Sequence, residues 1–208
     1  MATHLLETVR KHADEILTRD ATQHLLDELK KNSPAVVDEV MSILNLGQIQ
    51  RVLQQLLREQ IPIRQLDAIL EAIGNHGTTT KDAIWLADFA RMRLARTICT
   101  KYRDENNVLN VVLFDPALED QIRAGFEANE SGWFIRLSPN AKENLCHKIL
   151  QELEKLTQMN LPPIVLVNPQ IRAALKQITS ATIPGLIVLS YNEVTRDTQV
   201  VGVGVVTP

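Results

Sequence analysis

Few residues in this chain combine the types and spacing that catalysis or metal binding needs. The histidines are His4, His12, His24, His76 and His147, and the cysteines are Cys99 and Cys146. A metal set needs imidazoles or thiolates that share a face, and adjacent Cys146 and His147 diverge on a helix. They read as a buried thiol beside an exposed ring. Gly202-Val203-Gly204 sits late in a strand with no helix after it. That is the wrong context for a phosphate loop, so the glycines read as close packing in a terminal strand. No Gly-x-Ser-x-Gly elbow occurs, and Ser190 falls in a buried strand without the strand-to-helix turn a nucleophile requires. Residue types alone predict no catalytic residue, no metal site and no cofactor.

Two groups could serve recognition instead. Arg91, Arg93 and Arg96 give one predicted helix a basic stripe, either a solvated face with local pairs to residues such as Asp88 or a contact with another subunit or domain. Trp85 and Phe89, four residues apart, are core residues of that helix or an anchor for a partner.

The elements that would carry these residues fall into two parts. Thr3 to Leu17 reads as a helix with Leu5, Val9, Ala13 and Ile16 on one face. Helices follow after Thr18-Arg19-Asp20 and Ser33-Pro34, and across Gly47–Gln60, where Ile49, Val52, Leu53, Leu56 and Leu57 keep faultless amphipathic spacing. Pro62 should open the next helix and Gly74 stop it. Thr79 or Thr80 should cap a last long helix to about Tyr102. After a polar stretch from Arg103 to Asn107 the pattern changes. Val108–Phe114 is a strand, Asp115-Pro116 starts a helix to about Asn129, Trp133–Leu137 is a strand, and Ser138-Pro139 starts a long helix. Pro162–Val194 then reads as a βαβ unit: two short β-branched runs around a helix capped by Asn168-Pro169. Arg196-Asp197 should turn the chain into Gln199–Val206, pairing antiparallel with the strand before it. The expected fold is a helical module followed by a small α/β domain with a mixed sheet, the boundary falling near residue 103.

Apolar residues at 45% and charged residues at 23% are those of an ordinary soluble globular chain. The net charge of -3 argues against a nucleic-acid partner. Two distant cysteines and no signal peptide suit a reducing, cytoplasmic compartment, and no apolar run approaches a membrane span. A helix that starts at once after Met1 with a full apolar face suggests a piece cut from a longer protein.

An ordered series of segments resembles the cytoplasmic domain of the large export-gate subunit of type III secretion, the family of flagellar FlhA and injectisome SctV. It begins with Ala2-Thr3-His4-Leu5 and Thr18-Arg19-Asp20-Ala21-Thr22-Gln23 and runs through Leu46–Glu59. It continues with Ile63-Arg64, Thr80-Lys81-Asp82, Arg91 with Arg96, and Asp115–Glu119. Pro162-Pro163, Ile171-Arg172 and Val188-Leu189-Ser190-Tyr191-Asn192-Glu193 complete it. Gly74-Asn75-His76-Gly77-Thr78 and Ala95 depart from the family pattern. The Ser-Tyr-Asn-Glu segment and the Val-Gly-Val-Val ending favour the flagellar branch.

The resemblance implies three pieces: 1–17, the last helix of a truncated preceding subdomain; 18–102, a helical subdomain; and 103–208, the α/β C-terminal subdomain. It implies a docking and gating platform on the cytoplasmic face of the bacterial inner membrane, tethered through an absent N-terminal half. Expected partners are export chaperones with late substrates, other export-apparatus proteins and itself, as a nonameric ring. Thr3 would belong to the chaperone cleft, although a helix N-cap explains a threonine there as well. Arg64, Arg91 and Arg96 are implied candidates for a subunit interface. No enzyme activity is implied. An injectisome gate of the same fold is the nearest alternative. A small α/β enzyme is the alternative of another class, and it would need a polar cluster beyond Asn168, Tyr191, Asn192 and Glu193 at the ends of the βαβ strands.

Overall fold

The structure, a computed structural model, describes residues 9, 12–129 and 132–208, with the backbone alone over 126–129 and 132–135. It divides into two units, Met1–Leu94 and Ala95–Pro208.

The first unit contains α1 (Ala13–Ile16), α2 (Arg19–Lys30), α3 (Pro34–Ile43), α4 (Leu46–Arg58), α5 (Leu66–Gly77) and α6 (Ala83–Arg93). Its centre is α4, where Ile49, Val52, Leu53 and Leu56 are wholly excluded from solvent. Burial of each such side chain stabilises by about 1.5–3 kcal/mol. Both ends of α4 are closed. Asn45 Oδ1 accepts the Gln48 amide at 2.9 Å while Gln48 Oε1 accepts the Asn45 amide at 2.8 Å, a reciprocal capping box. At the other end Gln60 takes a left-handed φ of 58°, and Ile61 N–H donates to the Leu56 carbonyl at 2.8 Å.

Several helix limits differ from the periodicity. Val9 and Ile16, expected inside, are 45% and 57% exposed, whereas Leu17 is buried. The reason is polar: the Leu17 carbonyl accepts from the Gln50 and Gln54 side-chain amides at 2.9 and 3.0 Å, and Arg58 Nε donates to Asp14 Oδ2 at 3.1 Å. These contacts turn the Asp14–Leu17 side of α1 onto α4. Leu5 lies outside the described residues. No helix opens at Pro62; α5 starts at Leu66 and runs past Gly74 to Gly77. A Cβ on Gly74 would stand 3.0 Å from Val40 Cγ2, and one on Gly77 2.9 Å from Ile43 Cγ2. These glycines serve the close approach of α3 to α5 and stop nothing at residue 74. Asp82, not Thr79 or Thr80, caps α6, its Oδ1 accepting Ile84 N–H at 2.8 Å. The expected long helix is two, broken at Leu94 ahead of α7 (Ala95–Tyr102).

Helix α7 belongs to the second unit, which moves the division from about residue 103 to 94/95. The physical cause is Cys99, whose thiol donates to the Glu193 carbonyl at 3.1 Å and accepts from Thr195 N–H at 3.4 Å. The rest of that unit is β1 (Val108–Phe114), α8 (Pro116–Ala124), β2 (Phe126–Asn129), β3 (Gly132–Ile135), α9 (Pro139–Gln158), β4 (Ile164–Val167), α10 (Pro169–Thr179), β5 (Ile187–Ser190), a 3-10 turn Tyr191–Glu193, and β6 (Gln199–Val206).

The four-stranded sheet has the order β5-β4-β1-β6 and is parallel throughout. The expected βαβ unit is β4-α10-β5, with Val165 opposite Val188. The expected mixed sheet, with β6 antiparallel to β5, is not what forms. Arg103 Nη1 donates to Asp197 Oδ2 at 2.9 Å and to Thr198 Oγ1 at 3.0 Å, and Gln199 N–H donates to the Asn107 carbonyl at 2.9 Å. Those bonds start β6 beside the start of β1, so the pair runs parallel on the opposite edge from β5. Helix α8 stops at Ala124, earlier than expected, and β2 pairs with β3 in a separate antiparallel hairpin. Its base is closed by Arg136 N–H on the Gly125 carbonyl at 2.8 Å. Both faces of β4 are buried, as its continuous Ile-Val-Leu-Val run predicts. The core joins Val112, Val165 and Val167 to Ile149, Leu153 and Ile171 of the covering helices.

In β6 the register slips between Val111 opposite Gly202 and Val112 opposite Gly204, leaving Val203 as the bulged residue. A Cβ on Gly202 would come within 2.8 Å of Leu113 Cδ1, and one on Gly204 would collide with Glu152 Oε2. That carboxylate accepts the Val205 amide at 3.1 Å. The glycine pair is therefore packing in an edge strand, as its context predicts.

Candidate functional site

The basic stripe does not survive as one surface. Arg91 points inward from α6 and is 3% exposed, with Nη1 donating at 2.8 Å to Glu59 Oε2, itself 6% exposed. Glu59 is the C-terminal cap residue of α4, so this ion pair ties the last turn of α6 to the end of the central helix. Two charges removed from water stay tolerable only together. Arg93 is exposed and 3.6 Å from Glu71. Arg64 is exposed on the segment leading into α5, and Arg96 is exposed on α7 in the other unit. Of the three arginine candidates, two are on the surface and Arg91 is an internal tie. Phe89 stacks on His76 with ring centroids 3.6 Å apart and planes 9° from parallel, and Trp85 is half-buried. Thr3 lies outside the described residues. The sequence offered no sign of Glu59 as a buried partner, because nothing in the spacing couples residue 59 to residue 91.

The second place where chemistry could gather is the carboxyl end of the parallel sheet. Helices α8 and α10 both start there, with Asp115 Oδ1 accepting Ala117 N–H at 2.8 Å and Asn168 Oδ1 accepting Gln170 N–H at 3.0 Å. Glu119, one turn into α8, accepts the Asn168 amide on Oε1 at 2.7 Å. Burial raises the Glu119 carboxyl above the ordinary carboxylate value, against the opposing pull of that hydrogen bond. Burial also raises the Tyr191 phenol, helped by the charge of Glu119. Beside them Arg123 Nη1 reaches Gln170 Oε1 at 3.2 Å and Nη2 reaches Asp120 at 2.6 Å. Sequence reasoning named Asn168 and Tyr191 but missed Glu119, although Asp-Pro-x-x-Glu at the start of a helix was a readable signal.

Asn192 and Glu193 fall in the 3-10 turn after β5. Glu193 is 1% exposed and its Oε2 accepts the Ser190 amide at 2.6 Å and the Ser190 hydroxyl at 3.0 Å. That carboxylate is turned back on the chain, closing the turn that starts the crossing to β6. The sheet-end carboxylates thus hold amides in place, and the hydroxyl of Ser190 is a buried donor to Glu193. Cys146 is buried and His147 exposed on α9. Among the described residues no group of three or more histidines, cysteines or carboxylates is gathered as a metal set. No described helix is long and apolar enough to cross a membrane. What the geometry presents is a scaffold in each unit, with the sheet-end carboxylates tied to the chain's own amides.

Comparison with known proteins gives that scaffold its place. The profile of the FHIPEP family matches residues 1–199. The chain belongs to the FHIPEP family. It is 35% identical over 207 residues to the flagellar biosynthesis protein FlhA of Bacillus subtilis, covering 99% of this chain and 31% of that protein. It is 30% identical over 190 residues to the invasion protein InvA of Salmonella typhimurium, covering 91% of this chain and 28% of that protein. The cryo-EM structure of nonameric SctV-C from EPEC superposes with a TM-score of 0.86 at 27% identity, over 97% of this chain and 61% of that one. The fold of this FHIPEP chain is that of the C-terminal cytoplasmic domains of type III export-gate proteins. It spans about a third of the length of the curated relatives it matches.

Proposed function

We propose that this FHIPEP chain is part of the cytoplasmic docking and gating platform of a flagellar type III protein-export gate. In this reading 18–102 is a helical third subdomain whose last helix, α7, packs with the α/β fourth, and 1–17 is the last helix of the subdomain before them. The observation that carries the reading is that one chain aligns nearly end to end with both FlhA and the SctV-C subunit of a nonamer. Recognition and domain movement, not bond chemistry, would be its action. The carboxylates tied to backbone amides at the sheet end support that view. The platform would sit at the cytoplasmic face of the inner membrane, bind chaperone–substrate complexes and other export components, and assemble as a ring. Arg64 and Arg96, both exposed, are the side chains proposed for ring contacts, and Thr3 is proposed for the chaperone cleft.

The test compares two baits in lysate of the source organism: this chain, and one extended to the whole cytoplasmic region. Retention of export chaperones by the longer bait is the expected result; retention of none by either overturns the docking assignment. In the full-length protein, Arg64→Glu should impair ring formation seen by electron microscopy. Normal rings and normal export would remove Arg64 from the interface.

A further inference from the structure

A groove runs along the outer side of α9, and neither the fold nor the export reading uses it. It consists of two adjoining hollows of about 480 and 400 Å³ that share His147 and Leu150. The floor is apolar: Leu150 is 42% exposed although it stands in the middle of a core-packing helix, and beside it the hollow reaches half-buried Pro163 and the buried core residues Leu153 and Ile183. The rims are acidic. Glu143 lines one hollow and Glu154 the other, both exposed, neither in an ion pair among the described residues, and no lysine or arginine lines either hollow. Eleven helical residues apart, the two carboxylates are about 16 Å from each other along the axis.

The flank of α9 toward β6 is built differently. There Lys155 pairs with Glu152 at 2.6 Å, Glu152 accepts the Val205 amide, and Lys148 donates to the Thr207 carbonyl at 3.3 Å. One side of the helix has its charges engaged, and the other presents free carboxylates around an uncovered leucine.

We propose that this groove docks a cationic amphipathic helix of a partner protein. The charge of the lining selects lysine- or arginine-rich flanks. The floor calls for one or two apolar anchors at helical spacing, and its length, Asn140 to Thr157, suits about five helical turns. A helix rather than an extended strand fits because the groove is walled by α9, whose backbone is already hydrogen-bonded, so a strand would find no ladder to join. The inference rests on the α/β unit alone and stands apart from the export reading.

The probe is a fluorescent synthetic helix of about 18 residues with leucine every third or fourth position and lysine and arginine around them. Its glutamate-flanked counterpart is the control. Anisotropy with the whole 208-residue chain should show binding by the cationic helix only, weakening as salt rises. The double variant Glu143→Lys/Glu154→Lys should weaken it by about tenfold or more, and Leu150→Asp likewise, whereas Glu105→Lys, outside the groove, should change it by less than about twofold. Circular dichroism identifies variants that fail to fold; the charge reversals alter only exposed positions, so the comparison remains if Leu150→Asp does not fold. Equal binding by the parent and the double variant would overturn the proposal, as would an equal loss in Glu105→Lys, which marks unspecific attraction. Concentration-dependent dimerisation abolished by Leu150→Asp would assign the groove to a second copy and overturn it too.

Discussion

Each unit has an ion pair that ties distant segments, one inside and one near the surface, although the α/β unit also buries Arg172 and Glu193 elsewhere. In the helical unit Arg91 and Glu59 meet inside, joining the ends of α6 and α4 across 32 residues of sequence. In the α/β unit the corresponding tie, Arg103 to Asp197, lies near the surface, with 14% and 47% of the two side chains exposed. The first pair has lost its water and each partner depends on the other. The second can exchange with solvent and gains little from its charge. Yet the second lies at a place of architectural consequence, where the start of β6 meets the start of β1. Strength and architectural consequence are separate properties of an ion pair.

Breaking that contrast is direct. Glu59→Ala removes the carboxylate that faces the buried Arg91 guanidinium and should cost about 3–5 kcal/mol in denaturant unfolding, whereas the double change Arg91→Met/Glu59→Leu should return most of it. Hydrogen exchange should place the lost protection within residues 12–94; an equal loss in both units would refute the assignment. Gly204→Ala should be next, at about 0.5–1.5 kcal/mol, since the new methyl displaces the flexible Glu152 carboxylate from the Val205 amide. Gly77→Ala, forced against Ile43, should cost a similar amount in the other unit.

The Asp197 contribution appears as a pH dependence. Hydrogen bonds from Thr195 and then Arg103 hold its carboxyl down from 3.8 to about 2. A depressed folded value means the charged form favours folding, so the contribution is complete above pH 3.8 and disappears as the pH falls toward about 2. Asp197→Asn should flatten that acid limb slightly, as followed by circular dichroism; an unchanged limb would show that the bond contributes nothing. Smallest of all, Gly185→Ala meets no atom within 4 Å and should stabilise by about 0.4–1 kcal/mol, read as a small rise in melting temperature.

Legibility from sequence followed the range of the interaction. Helix α4, the Asn168-Pro169 start of α10 and the buried strands β1, β4 and β5 were readable because apolar period and cap residues act within a few positions. The extra strand at Phe126–Asn129 was not, since Gly125 ends α8 without a proline or a long polar stretch. At the candidate arginines, residue type told charge and nothing of direction, so Arg91 looked like a surface residue. Glu119 was within reach, one turn after an Asp-Pro start, but its partner Asn168 stands 49 positions away.

The sequence by itself determined most of the helices and strands, the helical-then-α/β order and the family, because those depend on local patterns and accumulated identities. Only the tertiary structure decided that β6 leaves β5 for the far side of β1, that α7 joins the α/β unit, and that Arg91 turns inward. Each involves a partner distant in the chain, Asp197 for Arg103, Glu193 for Cys99 and Glu59 for Arg91. A hydrophobic period records which face is buried, but it carries no information about which distant group that face will meet.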